Sequence, residues 1–171
     1  MRITECRAED IALLDRHLPS GGATSFHTRR FARHAAGTST YLIAWSADGS
    51  GPGRPVGNAE LRWTGCTAPE VRAAVPDCPE INGLLVAEPL RGTGIGTALI
   101  HHAEHLTAAR SLDRIGLGVD DDGNPRAANL YTRLGYRPTV RYLDRWSCTD
   151  LSGTEHQQAD PCVFLVRDLG V

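Results

Sequence analysis

The 171 residues fit one ordinary domain, residues 1–171, and a chain of this length buries roughly 70% of its unfolded surface, enough for an independent core. With 41% hydrophobic and 22% charged residues, and no apolar run near the ~20 residues needed to span a bilayer, the composition predicts a soluble globular protein rather than a membrane one. A net charge of -2 gives no basic footprint for nucleic acid, and all 18 basic residues are arginine, which excludes the lysine of a P-loop and the lysine Schiff base of a pyridoxal phosphate enzyme.

The N-terminal stretch carries Arg2, Glu5, Arg7, Glu9 and Asp10 and has no apolar core like that of a secretory signal, so a cytoplasmic location is expected. The cysteines, Cys6, Cys66, Cys78, Cys148 and Cys162, are odd in number and include no C-x-x-C, which argues against a disulfide framework and a zinc ribbon.

Met1 to Cys6 reads as a first strand. Glu9 to Leu18 places Ile11, Leu14 and Leu18 at helical spacing before Pro19-Ser20-Gly21-Gly22 breaks it. Thr24 to Ala36 predicts a second helix, with Phe26, Phe31 and Ala35 buried, closed by Gly37. Tyr41 to Ala47 and Val56 to Trp63 are β-prone runs around a turn mixture at Asp48 to Gly53, which predicts an antiparallel hairpin. Gly65 to Pro79 has three prolines and no clear period and is expected to be a loop near the acceptor. Glu80 to Val86 is a strand, Gly94 to Ser111 a helix with Ile95, Leu99, His102 and Leu106 on one face, and Arg114 to Val119 the next strand. That order implies parallel neighbours joined by a crossover. Pro125 to Leu134 has proline where a helix starts and Gly135 where it ends. Strands around Val140 to Trp146 and Val163 to Arg167 close the chain.

Arg91-Gly92-Thr93-Gly94-Ile95-Gly96 thus lies between a strand and a helix. A helix N-terminus leaves four N–H groups unpaired and carries about half a positive charge, so glycines that let a phosphate approach make an anion site. Three glycines can equally relieve strain at a turn. The dinucleotide fingerprint G-x-G-x-x-G does not fit, because the third glycine comes one place early. A second motif, N-P-R-A-A-N-L-Y-T-R-L-G-Y, runs from Asn124 to Tyr136.

Together with Val86 five residues ahead of Arg91-Gly92, this pair resembles the GNAT superfamily of N-acetyltransferases over about Glu80 to Pro138. The resemblance implies an α+β fold: a central mixed sheet of about six to seven strands, splayed between two parallel strands and flanked by about four helices. It implies acetyl-CoA as co-substrate, with the amides of Arg91, Gly92, Thr93, Gly94, Ile95 and Gly96 on the pyrophosphate, Leu84 and Val86 offering main-chain groups to the pantetheine arm, and Asn124 touching the cofactor. Tyr131 matches the tyrosine that protonates the departing thiolate. Two departures stand out: Glu88 replaces the usual proline, with Pro89 following, and Asp120 to Gly123 makes an acidic approach to Asn124.

The expected function is therefore acetyl transfer to a primary amine, a small molecule or a peptide N-terminus, by direct attack on the thioester. The protein is expected as a monomer or homodimer, with neither a nucleic acid nor a membrane as partner. A protonated amine must lose a proton first, and Glu80, at the start of the strand passing the thioester, is the leading base, with Asp144, Glu60 and Glu70 in reserve. Glu80 as a solvated strand end and Tyr131 as a packing aromatic are the alternatives. Phe26, His27, Trp63, Tyr142, Asp144 and Trp146 are the candidates for the acceptor site. Two other functions compete: a non-catalytic acyl-CoA sensor, and a zinc hydrolase built on the H-x-x-E-H of His101, Glu104 and His105. No third zinc ligand is evident and Asp120 to Asp122 lacks the order of a calcium hand, so no metal is expected.

Overall fold

Seven strands, β1 (Arg2–Glu5), β2 (Ser39–Trp45), β3 (Pro55–Arg62), β4 (Glu80–Val86), β5 (Arg114–Asp120), β6 (Arg137–Thr149) and β7 (Glu155–Asp168), form one sheet in the order β1-β2-β3-β4-β5-β7-β6. Among the described residues only β4 and β5 are parallel, as the strand-helix-strand order predicts, and every other neighbour is antiparallel. Among the described residues five α-helices accompany them: α1 (Ile11–His17), α2 (Phe26–Ala35), α3 (Pro69–Ala74), α4 (Ile95–Ala109) and α5 (Pro125–Arg133). The structure is a computed structural model that describes residues 1–19, 25–47, 53–121, 123–150 and 152–170. The predicted breaks at Ser20 to Gly22 and Asp48 to Pro52, the helix start at Thr24, Asp122 and the Cys148 side chain lie outside the described residues.

Strand alternation sorts the apolar residues onto two faces. Leu42, Ala44, Ala59, Leu61, Ile115 and Leu117 meet Ile95, Leu99, Ile100 and Ala103 of α4 and Tyr131 of α5. Tyr41, Ile43 and Trp45 meet Leu14 of α1, Leu18 and Phe31 of α2 on the other face. Leu99 and Ile100 are fully buried at 0% exposure, so truncating either to alanine removes about 2–5 kcal/mol of stability. This packing fixes α4 over the sheet and points its N-terminus at the end of β4.

Three expectations change. The Gly65 to Pro79 segment holds α3, with Pro69 at its first turn and Val71 buried, and Val75 just beyond it also buried; these one-turn-apart valines pack on Cys66, Cys78 and Tyr142. In α2 the buried side chain is His27, whereas Ala35 is exposed and Phe26 half-buried. Strands β6 and β7 run longer than expected, because Leu143 to Ser147 and Glu155 to Ala159 are mostly exposed polar positions whose pattern does not show burial. Among the described residues no helix is long and apolar enough to cross a membrane.

Candidate active site

Parallel pairing of β4 with β5 covers only Glu80↔Gly116 and Ile81↔Leu117. Beyond Ile81, β4 stays with β3 as far as Val86↔Gly57, while β5 stays with β7 as far as Asp120↔Cys162, so a wedge opens between the two parallel strands. Ala87 N–H donates to the Val56 carbonyl at 2.9 Å. Antiparallel ladders alternate, so Leu85 also faces β3 and the main-chain groups of Leu84 and Val86 face the wedge.

A bulge sits at the wedge's mouth. Asn58↔Leu85 and Glu60↔Asn82 set three steps of β4 against two of β3, and Gly83 takes φ +57° there. The extra residue reverses the alternation: Leu84 and Val86 join the core under α4, while Glu80 and Asn82 lie on the same face as Glu60 and Arg62.

The turn between β4 and α4 has Gly92 at φ +88° and Gly94, the helix N-cap, at φ +92°, backbone that side chains rarely adopt. Among the described residues the amides of Gly92, Gly94, Ile95, Gly96 and Thr97 have no acceptor. They edge a cleft of about 420 Å³ lined by Leu84, Val86, Arg91, Asn124, Leu130 and Tyr131 among others. A Cβ on Gly96 would stand 3.7–3.9 Å from Val86, Leu84 and Leu130, filling the space between β4 and α5. The Thr93 hydroxyl donates to Leu90 O at 2.7 Å and the Ile95 side chain is buried in the core, so these two hold the turn with their side chains. Arg126 and Arg133 also line the cleft and were not singled out in the sequence, although Arg126 directly follows Asn124-Pro125. The geometry suits a diphosphate on the free amides, cations beside it and an extended chain along β4.

Helix α5 begins on Asn124, whose Oδ1 accepts from Ala127 N–H at 3.1 Å, and ends at Gly135 with φ +87°. Tyr131 is thereby turned inward at 7% exposure, its ring 6.3 Å from that of Tyr136. Tyr136 donates to Glu104 at 2.9 Å, and Glu104 accepts from Arg167 at 2.8 Å, which ties the segment after α5 to α4 and β7 beside Tyr131. The Tyr131 hydroxyl has no hydrogen-bond partner among the described residues and lines the cleft. Burial raises its pKa, so it stays protonated at neutral pH and can donate.

On the face of the sheet away from α4 lies a charged group. Glu60, fully buried, receives both arms of the Arg33 guanidinium at 2.6 and 2.7 Å and Arg62 at 3.4 Å. Burial alone would raise its pKa, but these arginines hold it below its ordinary value. Glu80, 2% exposed, accepts from Arg62 at 3.3 Å and Asn82 at 3.4 Å. Here burial prevails and the carboxyl is raised, with nearby Asp144 adding to the rise. Asp144 is itself raised, by burial first and by Asp160 opposite it on β7.

The six acceptor candidates do not converge. Asp144 and Tyr142 share a face of β6, and Tyr142 packs over Gly118, where a Cβ would lie 2.2 Å from its hydroxyl. Phe26 lies under Arg30, 4.4 Å from ring centroid to guanidinium. His27 is fully buried, with Nε2 donating to Leu18 O at 2.7 Å and Nδ1 accepting from Tyr41, so it belongs to the core and not to an acceptor surface. Trp63 packs into the cluster under α4, stacked on Arg110 at 3.5 Å, on the opposite face from Glu80. Trp146 stands 45% exposed further along β6, bonded to Asp160 at 2.6 Å. In the H-x-x-E-H stretch, Glu104 points into the core toward Tyr136 and Arg167 while His101 and His105 are exposed, so the three do not face one ion. Asp120 caps its own turn through Gly123 N–H at 2.8 Å.

No curated protein matches the sequence. The solved structures that resemble it include the ribosomal-protein-S18-alanine N-acetyltransferase from Escherichia coli, at TM-score 0.67 and 15% identity, covering 99% of this chain and 94% of that one. Arabidopsis thaliana NAA60 in complex with a bisubstrate analogue gives TM-score 0.69 at 18% identity over 98% and 97% of the chains. An aminoglycoside 6'-N-acetyltransferase complexed with coenzyme A gives 0.64 at 16% over 99% and 97%. At these identities the likeness is one of fold. The sequence model of the Acetyltransferase (GNAT) family matches residues 11–136, most of the chain. The chain belongs to that family and is an acyltransferase.

Proposed function

We propose that the protein transfers an acetyl group from acetyl-CoA to the primary amine of an acceptor by direct attack on the thioester, as one domain working in the cytoplasm. The observation that carries this reading is a single cleft joining the free amides of α4, the main-chain groups of Leu84 and Val86, and the unpartnered hydroxyl of Tyr131. Acetyl-CoA fits it: the α4 amides with Arg91 and Arg126 would hold the pyrophosphate, and β4 would pair with the pantetheine arm in the wedge as with one more strand of the ladder.

The raised carboxyl of Glu80 receives the amine's proton, directly or through water, with Asp144 beside it. As the new N–C bond forms, the nitrogen loses its second proton to water and the C–S bond breaks. Tyr131 gives its proton to the departing sulfur and recovers one from solvent, so the balance is an amide, a free thiol and one proton released. The Arabidopsis relative was captured with a bisubstrate analogue and the aminoglycoside enzyme with coenzyme A, which supports one site serving both reactants. The test is thiol release from acetyl-CoA as primary amines are added. Amine-dependent release is expected; tight CoA binding with no release for any amine would make the protein a sensor instead.

A further inference from the structure

The charges facing the acceptor side of the wedge are not evenly matched. Glu60 is satisfied by the Arg33 fork and by Arg62, and Glu80 by Arg62 and Asn82. Among these arginines Arg30 is the most loosely paired, sharing Glu60 only at the outer limit of an ion pair. Its side chain is 12% exposed, its nearest carboxylate oxygen is Glu60 Oε2 at 3.9 Å, and its Nη1 donates to two neutral oxygens, Asn58 Oδ1 at 2.9 Å and Gly83 O at 3.4 Å. A largely buried guanidinium bonded mainly to neutral acceptors is costly unless an anion joins it.

Its place is specific. The guanidinium lies against the β4 bulge, so close that a Cβ on Gly83 would come 1.8 Å from Nη2, and Gly83 itself is exposed at the mouth of the wedge. The bulge therefore admits the arginine to the point where the acceptor must arrive. Phe26 supports the other side of the guanidinium at 4.4 Å. Beside it, Asn58 is fully buried and its Nδ2 has no hydrogen-bond partner among the described residues, leaving an unused donor next to an undercompensated cation.

We propose that Arg30 and Asn58 receive a carboxylate of the acceptor, so that the substrate class is a primary amine that also carries a carboxylate. The proposal rests on the acetyl-transfer reading above. From Gly83 back to Glu80 is three residues, about 10 Å along a strand, so the distance between amine and carboxylate decides how the amine's proton reaches Glu80.

The experiment measures thiol release from acetyl-CoA with glycine, β-alanine, 4-aminobutyrate and glutamate, each beside its carboxamide, for the wild type, Arg30→Met and Arg30→Lys. A charged pair in a desolvated site predicts that at least one acid exceeds its amide in kcat/KM by about 100-fold. Arg30→Met abolishes that preference mainly through KM, Arg30→Lys keeps part of it, and CoA affinity stays at the wild-type value in both. Amides that match their acids throughout the series overturn the proposal alone, as does an Arg30→Met variant that slows acids and amides equally. Absence of thiol release with every amine overturns the acetyl-transfer reading and this proposal with it.

Discussion

The two sides of the wedge are built from different materials. On the side proposed for CoA the groups are backbone amides, held by Gly92, Gly94, Gly96 and the packed helix α4. On the acceptor side they are side chains from α2, β3, β4 and β6, held by a relay from Arg33 through Glu60 and Arg62 to Glu80. A backbone site tolerates change in most of the side chains around it, whereas a site of crossed charges depends on every member. One scaffold can thus keep its acyl donor while its acceptor changes.

That contrast breaks most readily at Glu60. Glu60→Ala leaves Arg30, Arg33 and Arg62 without their shared carboxylate, and breaking a buried pair in this way costs about 3–5 kcal/mol, readable by urea denaturation. Because the folded pKa of Glu60 is depressed, its contribution is complete above the unfolded value and is lost as pH falls through the lower folded value. A Glu60→Ala protein that unfolds at the wild-type urea concentration would mean that the acceptor side is not held by charge.

On the opposite side, Gly96→Ala should separate binding from folding. The added methyl meets only ordinary contacts and helix propensity improves by about 1 kcal/mol, so the fold is kept or strengthened. The same methyl narrows the cleft, and the Kd for CoA should rise about tenfold, equivalent to about 1.4 kcal/mol. Unchanged affinity by titration calorimetry would place the CoA elsewhere.

The smallest effect expected is on pH dependence. Burial raises the Glu80 carboxyl, so the acid limb of kcat/KM should lie above the usual carboxylate range, with activity falling as pH drops through it. Glu80→Gln should remove that limb. A limb that survives in the variant belongs to another group, Asp144 first among them.

The same contrast explains what the sequence disclosed. The glycine turn, the N-cap Asn124 and the inward Tyr131 fall within about forty residues of continuous chain, and glycine spacing reports backbone directly, so both the cleft and the parallel pair were legible. Arg30 and Arg33 were not, because nothing in a helix of arginines and histidines says which of them turns inward to meet strands about thirty residues away. His27 was misassigned for the same reason: an imidazole bonded at both nitrogens inside the core looks, in sequence, like one free to meet a substrate. Nor could α3 be seen, since its one buried turn depends on Tyr142 and Cys78 arriving from elsewhere.

The central claim is that the cleft binds the donor through backbone and finishes the reaction through Tyr131. Tyr131→Phe removes one oxygen and no CoA contact made by the glycine turn, so the variant should titrate CoA with wild-type Kd while thiol release falls by about 10²–10⁴-fold, the contribution of a positioned acid. Wild-type turnover in that variant, with CoA still bound, would contradict the account.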